Sequence, residues 1–122
     1  MSTPKDWRPE DVANLPEPAG AVDIDIDWGI VAEGAIPSRH FTGRRWVVQQ
    51  RMGNGRVVDD VGVRIDGWQW ADGSVEREIM VQPRVGHWPL SVPQTRELAR
   101  LLTAACDEIQ RLESIDGIGR SE

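Results

Sequence analysis

One cysteine, one lysine, one phenylalanine and no tyrosine in 122 residues set the first limits. Cys106 alone can form neither an internal disulfide nor a multi-cysteine zinc site, because each needs more than one thiolate. No apolar run approaches the roughly 20 residues that cross a bilayer, and Met1-Ser2-Thr3-Pro4-Lys5-Asp6 lacks the charged-then-apolar pattern of a secretory signal. The expected location is therefore cytoplasmic, without membrane contact. The G-x-S-x-G elbow, the G-K-[ST] phosphate loop and the G-x-G-x-x-G fingerprint are all missing. His40 and His87 are the only histidines, and neither has a Ser, Cys or His at ligand spacing. These absences predict a protein that is not an enzyme, with no catalytic, metal or cofactor-binding residues.

What is present is an uneven charge distribution. The net charge of −6 opposes general binding to nucleic acid or anionic lipid. Residues 1–36 carry eight acids, whereas residues 37–58 carry Arg39, Arg44, Arg45, Arg51 and Arg56 and no acid. A basic band thus sits between acidic flanks. Six tryptophans stand out beside the shortage of other aromatics.

The pattern along the chain predicts one α+β domain. Residues 1–20 hold Pro4, Pro9, Pro16 and Pro18 among charges, which disfavours helix and ladder alike and predicts a flexible N-terminal arm. Val22, Ile24, Ile26 and Trp28 alternate with Asp23, Asp25 and Asp27, the period of a strand with one buried face. Residues 29–43 read as a long connection. A second strand is expected over Arg45 to Met52, a hairpin turn at Gly53-Asn54-Gly55, and a third strand from Val57 to Trp70. In that third strand Val61, Val63 and Ile65 alternate, but the next large apolar residues are Trp68 and Trp70, so a bulge or break is expected at Gly67. Asp72-Gly73 is the strongest turn signal and leads into a fourth strand marked by Val75, Ile79 and Val81. Ser91 and Gln94 then form a capping box ahead of Leu98, Leu101, Leu102, Ala105, Ile109 and Leu112, a continuous helical stripe. The prediction is an antiparallel sheet of about four strands with one C-terminal amphipathic helix on one face, a domain spanning 21–116, and a frayed tail over 117–122.

Asp72-Gly73-Ser74-Val75-Glu76-Arg77 and Leu90 to Ala99, with Gln94, Arg96, Glu97 and Leu98, resemble small proteins of actinobacteria and their phages. Those proteins share a "DGS-x-E-R" hairpin and an "L-x-x-x-Q-x-R-E-L-A" helix. The resemblance covers about residues 63–113. It consists of fold-forming residues, so it implies the architecture and a phage-related setting and transfers no active site.

Three groups of residues invite a functional reading. Asp23, Asp25 and Asp27 place carboxylates about 6–7 Å apart on one strand face, which reads first as a solvated acidic face. Arg39, Arg44, Arg45 and Arg51 interleave with Phe41 and Trp46 in a way that suits phosphate contact with base stacking. Trp46, Trp68 and Trp70 are expected near one another on the sheet, either filling the core or forming a protein-binding patch, since Trp and Arg dominate such patches. The leading expectation is a non-enzymatic interaction or regulatory protein with an unidentified protein partner, or a homodimer built on the tryptophan face. The alternative is a nucleic-acid-binding accessory protein that uses the band from Arg39 to Arg56.

Overall fold

Two glycine turns organise the sheet. At Asp72-Gly73 the chain reverses with Gly73 at φ +92°. The Asp72 carboxylate accepts hydrogen bonds from the Ser74 amide (2.9 Å) and hydroxyl (2.6 Å). Gly55, at φ +85°, plays the corresponding part in the preceding hairpin. Both positions need a residue without a Cβ penalty in the left-handed region. The computed structural model describes residues 7–29, 36–51, 53–82 and 89–120. In chain order these form α1 (Pro9–Val12), β1 (Asp23–Ile24), β2 (Ser38–Arg51), β3 (Val57–Trp70), β4 (Val75–Gln82) and α2 (Val92–Arg120). The strands make one antiparallel sheet in the order β1-β2-β3-β4. The expected α+β architecture, a four-stranded sheet and one long C-terminal helix, is what the chain adopts. No described helix is long and apolar enough to cross a membrane.

Helix α2 lies on the face formed by Val48, Val61 and Val63. Leu101 and Ala105 complete the core there, with Trp46, Ile79, Leu98 and Leu102 packed around it. Its N-terminus is closed reciprocally: the Gln94 amide donates to Ser91 Oγ at 3.2 Å and the Ser91 amide donates to Gln94 Oε1 at 3.0 Å. Two backbone donors are thereby satisfied that the helix itself leaves without partners. Ser91→Ala is expected to lower unfolding free energy by about 1 kcal/mol, read from urea denaturation. On the solvent side Glu97 and Glu108 are held below the usual carboxylate range by hydrogen bonds from Arg100 and Arg111. The helix runs to Arg120, past the expected end near 116.

The sheet departs from the sequence reading in three places. The first strand is far shorter than Val22 to Trp28: only Asp23 and Ile24 enter the ladder, opposite Thr42 and Phe41. Val22 and Ile26 are 76% and 92% exposed, so of the alternating residues only Ile24 and Trp28 are half-buried. Strand β2 begins at Ser38, inside the segment read as a connection. A bulge between Thr42 and Arg45 sets Gly43 and Arg44 against Ile65 alone, and this extra residue hides the strand's period. Gly67, by contrast, carries no bulge: Asp66, Gly67 and Trp68 stay in register with both neighbours. The slip in apolar pattern is a change of face. Gly67 sits beneath the Phe41 ring, where an added Cβ would come within 2.3 Å of Phe41 Cζ, so the inward position has no side chain. Trp68 and Trp70 belong to the other face.

The stretch expected as an N-terminal arm is tied to the body at residues 16–20. Gln69 Nε2 donates to the Pro16 carbonyl at 2.7 Å, Arg77 donates to the Ala19 carbonyl at 3.0 Å, and the Ala19 amide donates to Asp116 at 3.3 Å. Gly20 touches Leu112. The end of α2 and the entry to the sheet are joined through this segment.

Candidate functional site

Cross-strand pairing decides what the face opposite α2 displays, because residues paired across strands point to the same side. One row holds Asp23, Thr42, Asp66 and Glu78; the next holds His40, Trp68 and Glu76. Asp25 flanks the second row, its carboxylate accepting the His40 amide at 3.3 Å. No described helix covers this side of the sheet.

At the centre, Asp66 is buried and fully engaged. Arg64 donates to it from Nε at 2.6 Å and from Nη2 at 3.2 Å, and His40 Nε2 stands 3.7 Å away. The Arg64 guanidinium is raised above its ordinary pKa by this hydrogen-bonded carboxylate. His40 meets the Trp68 ring edge-on, with centroids 5.0 Å apart. The Trp68 side is 38% exposed. Around it, Asp23, Asp25, Glu76 and Glu78 are exposed, and none forms an ion pair with a described residue. The arrangement is a partly exposed indole bordered by four carboxylates that form no ion pair with a described residue. Such a surface attracts cations electrostatically and offers an aromatic face for one to rest on. Among the described residues no group of His, Cys, Asp and Glu has the geometry to hold a metal ion.

The residues singled out from sequence divide between surfaces. Trp68 and Trp70 share the open face, Trp70 half-buried, as expected. Trp46 does not join them: it pairs with Val63 and packs against the core beneath α2. The physical reason is strand parity, since the Thr42/Arg45 bulge and the unbroken run through Gly67 put Trp46 and Trp68 on opposite sides. The arginines are equally scattered. Arg44 lies over the Trp46 ring at 4.8 Å and acts on Glu108 of α2. Arg45 is exposed on the open face, and Arg51 ends β2. Arg39 pairs with Gln69 near the start of β2, where its guanidinium lies 4.6 Å over Trp28. The contiguous basic band of the sequence therefore forms no contiguous basic surface. Cys106 is exposed on α2.

Arg39 and Trp28 belong to a cleft of about 670 Å³ beside α1, whose walls include Trp7, Val12, Leu15, Ile26 and Pro37. Sequence reasoning missed this grouping, because nothing local links Trp28 to Arg39 or to residues of the first turn. Glu76 and Glu78 were also passed over, although their alternation with Val75 and Arg77 marks them as outward-facing. Comparison with protein-family models, with curated proteins and with solved structures gives no match.

Proposed function

We propose that the chain is a non-enzymatic protein-binding module, a regulatory or accessory protein that holds a basic segment of its partner against the open sheet face. The observation that carries this reading is the exposed Trp68 indole among Asp23, Asp25, Glu76 and Glu78. A lysine or arginine of the partner resting on the ring gains roughly 0.5–1 kcal/mol at an exposed site, more as water is excluded. The carboxylates add steering and select against acidic partners. Phosphate backbones are repelled by the same surface, and the arginines that favoured nucleic acid lie apart from one another. A twofold mate presenting an identical acidic row would be repelled as well, so the favoured partner is a different chain.

A lysine- and arginine-rich peptide titrated into the protein should bind with an affinity that falls steeply as salt rises. Glu76→Gln with Glu78→Gln should weaken it by several-fold, since each exposed pair contributes on the order of 0.2–1 kcal/mol. An affinity unchanged by both substitutions and by salt would reject this site.

A further inference from the structure

The cleft beside α1 contains a guanidinium that is fixed in place yet incompletely used. Arg39 Nε donates to Gln69 Oε1 at 2.8 Å. Gln69 is itself 2% exposed and anchored through its amide nitrogen to the Pro16 carbonyl. One face of the guanidinium rests on Trp28 at 4.6 Å. The plane is thus set by stacking and by one edge, while neither terminal nitrogen bonds to a described residue. Burial pushes the Arg39 group below its ordinary pKa, with Glu17 acting in the opposite sense. Arg8 and Arg39 outnumber the one carboxylate on the cleft wall, Asp27, and no ion pair joins Asp27 to Arg39.

A planar fork with two free donor nitrogens matches the two oxygens of a carboxylate. Pre-fixing the fork removes much of the ordering cost that a free arginine would pay on binding. The remaining walls, with Trp7, Val12, Leu15 and Ile26, are apolar, and the volume lies in the range of small-molecule sites. We infer that this cleft binds a small carboxylic acid with an aryl or alkyl body, the carboxylate on the outer edge of Arg39 and the body against Trp28 and its apolar neighbours. This site is separate from the acidic face of Trp68, and either can fail without the other.

The test uses phenylacetate and its neutral isostere phenylacetamide, titrated into the full chain while the indole N–H resonances of Trp7 and Trp28 are followed. Phenylacetate should bind saturably and shift the Trp28 signal, and the amide should bind at least about tenfold more weakly, as expected for loss of a charge-assisted pair. Arg39→Lys keeps the charge but not the fork and should also weaken phenylacetate. The comparison of the two probes on the unmodified chain decides the matter even if that variant does not fold. Equal affinity for acid and amide, the absence of saturable binding, or shifts that spare Trp28 would overturn the inference.

Discussion

Asp116→Ala is expected to lower unfolding free energy by about 3–5 kcal/mol, a large share of what a domain of this size possesses. The cause is the Arg77 side chain, only 1% exposed, whose Nη1 donates to Asp116 at 2.6 Å. Its Nη2 donates to the Ala19 carbonyl, and its Nε has no hydrogen-bond partner among the described residues. The Phe41 ring lies 5.7 Å from the guanidinium carbon. Deleting the carboxylate leaves a cation buried without its counter-charge and frees the Ala19 amide that Asp116 also accepts. The same pair joins β4, the end of α2 and residues 16–20, so its loss loosens three segments together. Arg77→Met combined with Asp116→Leu should cost less than Asp116→Ala alone, because charge and counter-charge leave together. Urea denaturation of the two variants measures this; a loss below about 1 kcal/mol for Asp116→Ala would show that the pair is solvated in solution.

Phe41→Ala should cost about 3–5 kcal/mol, since the ring is 1% exposed and fills the space above Gly67. Gly67→Ala should destabilise in turn by about 1–3 kcal/mol through overpacking, its Cβ falling 2.3 Å from Phe41 Cζ and 2.6 Å from the Glu76 carbonyl. The two changes are coupled. In a Phe41→Ala background the ring clash disappears and Gly67→Ala should cost less, although the Glu76 carbonyl keeps the cost above zero. Thermal unfolding of both single variants and the double variant reads the coupling, and strict additivity would mean that ring and glycine do not meet.

These two sites explain much of what could be read in the sequence and what could not. The C-terminal helix was legible because its stripe, cap and turn chemistry agree, and Leu101, Ala105 and Leu112 are buried as that stripe requires. The Asp72-Gly73 hairpin was legible for the same reason. Strand β2 was obscured where Gly43 and Arg44 occupy one position of the ladder, and the long connection assigned to 29–43 followed from that. Gly67 was misread because a glycine inside a strand marks either a bulge or a close approach, and only the partner strand, through Phe41, decides between them. The tryptophans were recognised as unusual, but their faces depend on parity through those same positions. The acidic surround of Trp68 draws residues from β1, the residue that follows it, and β4, and no local pattern joins them. The Arg77–Asp116 pair spans 39 residues and was invisible for the same reason.

The proposed binding surface is the open face around Trp68. Amide and indole chemical-shift mapping during titration with the lysine- and arginine-rich peptide tests it most directly. Perturbations are expected at Trp68, at His40 and Thr42, and at residues 23–25 and 76–78, and they should be removed when Glu76→Lys and Glu78→Lys are introduced together. Perturbations confined to the exposed side of α2, or an unchanged map in the charge-reversed variant, would contradict it.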